Sequence, residues 1–124
     1  TIYTKECLKS VIKWANTNDI HVISDEIYAL SVYNNIPVEF HSVYEILEGE
    51  LGDYVHILWG FSKDICLGGY RVGVMCSQNR TLLEAMSSIA YFCAVSNPTQ
   101  MILTNLLQDR QFMNLFLQEN LHSS

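Results

Sequence analysis

Lys63, Asp25, Tyr28 and Arg71 are the residues of this chain whose types and spacing could do chemistry together. A lysine amine can form and exchange an imine with a carbonyl compound. An aspartate can hold a protonated aromatic nitrogen and keep its ring electron-poor. An arginine offers a planar, permanently charged fork that suits a phosphate. Tyr28 follows Asp25 by three residues, so its hydroxyl can reach the same ligand. Arg71 follows Lys63 by eight. Each residue taken singly has a commoner job. A lysine after a strand is usually a solvated charge, and an aspartate there usually caps the next turn. Tyr28 could be a half-buried aromatic with a wet hydroxyl, and Arg71 could pair with Asp64 or another surface acid.

The elements that must position these residues can be read from periodicity. Thr4 and Glu6 are helix-start residues, and Leu8, Val11, Ile12 and Ala15 repeat at helical spacing, predicting a helix over 4–15. Asn16 to Asp19 form the turn out of it. Residues 20–23 and 54–59 read as buried strands of the parallel type, and a third strand is expected over 70–76. Residues 34–41, around Pro37, read as loop. A short helix is expected from Ser42 to Leu47, closed by Gly49. Helices over 81–93, from Pro98 with Met101, Ile102 and Leu106 as its apolar stripe, and over 111–120 complete the pattern. The Leu82, Met86 and Ile89 stripe is expected in the core. The order implies an α/β class with helices covering a mainly parallel sheet, whose ligands sit beyond the carboxyl ends of the strands. Asp25 and Lys63 both fall just after an apolar strand.

Ser24-Asp25-Glu26-Ile27-Tyr28 resembles the Asp-x-x-Tyr segment of the fold-type-I aminotransferases. Ser62-Lys63-Asp64, followed by Gly68-Gly69-Tyr70-Arg71-Val72-Gly73, is similar to their Ser-Lys-x and Gly-x-Arg-x-Gly segments. The Ser-Lys-Asp form and Thr99-Gln100 lean towards the 1-aminocyclopropane-1-carboxylate synthase-like branch, and the opening Thr1-Ile2-Tyr3-Thr4 fits the same branch. The resemblance implies pyridoxal 5'-phosphate as cofactor. It assigns Lys63 the Schiff base, Asp25 the pyridinium partner, Tyr28 the phenolate partner and Arg71 the phosphate, with Ser62 beside them at the cofactor. Lys63, freed by substrate, would serve as general base at the α-carbon. Transamination and elimination both stay open, as does a catalytically silent relative kept as a binding scaffold. The resemblance further implies a small amino-acid substrate and a homodimer. Ser96-Asn97-Pro98 is either a segment reaching the neighbouring subunit or a plain loop-to-helix junction. The family often places a serine three residues before the lysine as a phosphate donor, whereas this chain has Gly60.

Bulk properties limit the rest. With 124 residues, the chain is at most one domain. Its 49% hydrophobic and 16% charged content is that of a packed domain. Because it opens on Thr1 without a methionine, the chain reads as a piece of something longer, and the resemblance makes residues 1–124 an incomplete cofactor-binding large domain. The family's N-terminal part and small C-terminal domain would lie outside it. A net charge of −6 speaks against capture of nucleic acid or anionic lipid. No apolar run approaches the roughly 18 residues of a membrane span. The four cysteines show no Cys-x-x-Cys pair and no histidine at metal spacing, so no metal site is expected. Buried, reduced thiols in a cytoplasmic protein are expected instead. His21 and His56, inside strand-like runs, are expected to be hydrogen-bonded core or face residues.

Overall fold

The computed structural model describes residues 2–32 and 39–122; side chains are described as far as Glu119. The element order is α1 (Lys5–Thr17), β1 (Val22–Asp25), α2 (Val43–Ile46), β2 (Val55–Gly60), β3 (Gly73–Ser77), α3 (Arg80–Cys93), α4 (Asn97–Gln108) and α5 (Arg110–His122). Most of the loop expected over 34–41 lies outside the described residues. The α/β class is as expected. The sheet order is β1-β2-β3. β1 pairs with β2 in parallel, Val22 opposite Val55, while β2 pairs with β3 antiparallel, Gly60 opposite Gly73. The parallel character therefore holds for one of these two pairings.

Local chemistry sets the element ends. Thr4 caps α1 by accepting from the Cys7 amide, Ser42 caps α2, and Asn79 caps α3. Ser96 caps α4, with Pro98 in its first turn. After α2 the chain turns back at Gly49, whose φ of +85° favours a residue without Cβ. β1 begins two residues later than the apolar run suggests, because the Ile20 amide bonds back to the Ala15 carbonyl at the end of α1.

Side chains alternate across the strands. Val22, Val55 and Ile57 face α1 and α2 and pack with Ile12, Val43 and Leu51 in one core, where Val55 is completely buried. A second core joins Phe61, Ile65, Val72 and Leu103, with Trp59, Leu106 and Phe116 against it. The opposite sheet face holds Ile23, Asp25, His56 and Leu58 by register. His56 is buried there, but Ile23 and Leu58 are exposed, Ile23 by 63%. β1 is thus half-buried, not fully buried, because nothing among the described residues covers its second face.

The same lack of cover overturns three further expectations. The α3 stripe is not core: no residue of α3 is buried. In α4 the buried position is Leu103, while Met101 and Ile102 point outward. All four cysteines are exposed. Cys93 ends the uncovered α3, and Cys7 lies on the outer side of α1, away from buried Ile12 and Ala15. No helix among the described residues is long and apolar enough to cross a membrane.

His56, 3% exposed, places Nδ1 2.8 Å from Ser77 Oγ and Nε2 2.8 Å from His21 Nδ1. Burial, and then repulsion from His21, push its pKa below the usual 6.5. The unfolded chain therefore takes up this proton at higher pH than the folded one. Stability should be greatest above pH 6.5 and fall as pH drops from there towards the folded-state value. Urea unfolding across this window should show that decline, and His56→Gln should flatten it.

Candidate functional site

Topology brings the candidate residues to one edge. Because β1 and β2 run in parallel, both their carboxyl ends lie at that edge, the usual ligand side of such sheets. Asp25 closes β1, and the loop holding Ser62 and Lys63 leaves β2 directly after Gly60. β3 runs the other way, so its amino end lies there too. Arg71 sits two residues before it.

The lysine loop is pinned by its apolar flanks. Phe61 and Ile65 are buried on either side of Lys63, in the second core. The Phe61 amide bonds the Val72 carbonyl, and the Leu67 amide bonds the Phe61 carbonyl. The backbone between is left at the surface, with Lys63 exposed and Ser62 half-buried. The Lys63 amine lies 5.6 Å from the centre of the Tyr28 ring, within cation–π range. Tyr28 itself is 56% exposed, more open than a half-buried packing residue.

Asp25 Oδ1 accepts from the Ile27 amide at 3.3 Å, a local turn that aims the chain towards Tyr28. Asp25 also lines a half-open, mainly apolar cleft of about 290 Å³ between α1 and β1. Arg71 adopts a left-handed backbone (φ 55°, ψ 45°) and donates from Nη1 to the Gly68 carbonyl at 3.1 Å. The expected alternative for Arg71, pairing with Asp64, does not occur. Among the described residues neither Lys63 nor Arg71 has a carboxylate at ion-pair distance.

Two buried acids escaped the sequence reading. Asp64 is 6% exposed and accepts from Trp59 Nε1, Ser31 Oγ and the Leu30 amide. Glu26, equally buried, accepts from the Val43 amide at the start of α2 and from Ser24 Oγ. Their only sequence signal is an acid set beside apolar neighbours just after a strand, which a surface acid shares.

A family model described as Aminotransferase class I and II matches residues 1–123. The chain belongs to this family. Among curated relatives, 1-aminocyclopropane-1-carboxylate synthase 6 of Oryza sativa subsp. japonica is 40% identical over 94% of the chain and 22% of its own length. A "probable inactive 1-aminocyclopropane-1-carboxylate synthase-like protein 2" of Mus musculus is 38% identical over 96% of the chain and 20% of its own length. The synthase of Nicotiana tabacum is 36% identical over 97% and 25%. The chain thus spans about a quarter or less of these relatives. In fold it is similar to an aspartate aminotransferase double mutant of Thermus thermophilus, with TM-score 0.81 and 22% identity over 98% of this chain and 30% of that one.

Gly60 has a steric setting of its own. A Cβ there would lie 3.2 Å from the Val72 carbonyl oxygen, which also accepts the Phe61 amide. Gly60→Ser should therefore lower stability by about 1 kcal/mol through overpacking, read as a lower urea midpoint.

Proposed function

We propose that the protein to which these residues belong transforms a small amino acid with pyridoxal phosphate, as an aminotransferase or a 1-aminocyclopropane-1-carboxylate synthase-like enzyme. The observation that carries this reading is the meeting of Lys63 and Tyr28 at the strand edge that also bears Asp25. The donor set fits the cofactor: a primary amine, a phenol, a carboxylate and a guanidinium, all exposed at one edge. Pyridoxal phosphate, when bound, supplies the electron sink that weakens bonds at the amino acid's α-carbon.

In this reading Lys63 Nζ would hold the cofactor, and as a free amine it would move the α-carbon proton. The Asp25 carboxylate holds the proton of the pyridine nitrogen. The Tyr28 hydroxyl donates to the ring's phenolic oxygen, and Arg71 with Ser62 holds the phosphate. The names of the relatives favour the synthase side of the pair. Residues 1–124 form part of a larger cofactor domain in this reading, and the whole protein works as a cytoplasmic homodimer. With the four side chains open to water on one side, these residues by themselves should show no turnover.

A second reading is favoured by the mouse relative, whose name calls it probably inactive, and by Gly60 in place of the expected serine. It makes the protein a catalytically silent member that retains the scaffold as a binding or interaction protein.

Two measurements test the first reading. Borohydride reduction in the presence of pyridoxal phosphate should label Lys63 ahead of Lys5, Lys9 and Lys13, as read by peptide mass. Lys63→Ala should lose that label, and in the complete protein its activity. Arg71→Gly suits the left-handed backbone at that position, so it should leave stability within about 1 kcal/mol of the parent. It should nevertheless weaken cofactor capture about tenfold or more, the size expected for one charged phosphate contact. Equal labelling of all lysines would count against the cofactor reading.

A further inference from the structure

We propose that Asp64 is the positioning residue that holds Tyr28 over Lys63. The turn carrying Tyr28 has its own bonds, Ala29 amide to Glu26 carbonyl and Ser31 amide to Tyr28 carbonyl. These fix its shape but not its place over the lysine loop. Among the described residues, the hydrogen bonds joining the turn to that loop all end on the Asp64 carboxylate. The Leu30 amide donates at 3.1 Å and Ser31 Oγ at 2.8 Å. Trp59 Nε1 donates to the same group at 2.8 Å, tying it to β2. The indole is itself steadied edge-on by Phe61 at 4.9 Å. Asp64 thus gathers three donors from two other segments, while its backbone neighbour is Lys63.

The choice of side chain follows from this donor count. A carboxylate is acceptor-only with about four lone-pair sites, so three donors suit it without rearrangement. An asparagine can reproduce the pattern. Its oxygen, in the place of Oδ2, accepts from Leu30 and Trp59, and its amide donates to the Ser31 hydroxyl. A leucine of comparable size offers none of this. The brace therefore works through geometry and does not require the negative charge.

The inference that Asp64 places Tyr28 stands on its own, while its bearing on cofactor capture rests on the function proposed above; two readouts separate them. In the cofactor-free chain, NMR cross-peaks between the Tyr28 ring and the Lys63 side chain should appear in the parent and in Asp64→Asn. They should vanish in Asp64→Leu. Should the leucine variant fail to fold, Ser31→Ala and Trp59→Phe, each removing one donor, should weaken the cross-peaks. Undiminished cross-peaks in the folded leucine variant, or in both single-donor variants, overturn the brace. Loss in the asparagine variant as complete as in the leucine variant also overturns it, by making charge the agent. With pyridoxal phosphate and borohydride, labelling of Lys63 relative to Lys9 should fall about tenfold in Asp64→Leu, as expected for a displaced reacting group. It should hold in Asp64→Asn. A parent that labels Lys63 no better than Lys9 sinks the cofactor reading and leaves the cross-peaks to decide the brace.

Discussion

The site depends on β2 being paired in parallel on one side and antiparallel on the other. The parallel edge sends β1 and β2 towards the same end, so the aspartate that closes one and the lysine loop after the other must share it. The antiparallel edge returns the chain from that end, so Arg71 arrives there before β3 begins. No side-chain contact is needed to explain why three residues spread over positions 25 to 71 come together. The strand can impose this because it is anchored: Val55 is completely buried and Ile57 nearly so, each worth roughly 1.5–3 kcal/mol against exposure.

What the strand order brings near, polar bonds and apolar anchors then place. Phe61 and Ile65 sink into the second core, and between them Lys63 is turned outward while Asp64 turns in. Burial of the flanks and exposure of the lysine are thus one event. Asp64 faces inward from the same loop and is spent on neutral donors, which removes the acid next to Lys63 in the chain as an ion-pair partner. Lys63 and Arg71, with no carboxylate at ion-pair distance among the described residues, cost the fold little at the surface and stay open to an anionic ligand.

Much of this was legible in the residues. Helix starts at Thr4 and Ser42 and the proline-opened α4 were readable because capping depends on two or three neighbouring residues. The candidate set Asp25, Tyr28, Lys63 and Arg71 was readable because residue type and spacing are written in the chain, and the parallel pairing of β1 with β2 brings it to one end of the sheet. Burial was not readable with the same fidelity. Leu82, Met86 and Ile89 have helical spacing and apolar character, but the pattern says only that a face wants cover, not that cover is supplied. Cys7 and Cys93 failed for the same reason. Asp64 and Glu26 were missed because their roles lie in donors from segments distant in sequence, which spacing along the chain does not encode.

Gly60 and Val72 are tied together through space. A Cβ at position 60 would stand 3.2 Å from the Val72 carbonyl oxygen, at the turn that delivers Arg71. To admit a side chain there, that oxygen must give by a few tenths of an ångström. A substitution at position 60 is therefore felt at a distance along the chain, as a displacement of the backbone that presents the guanidinium.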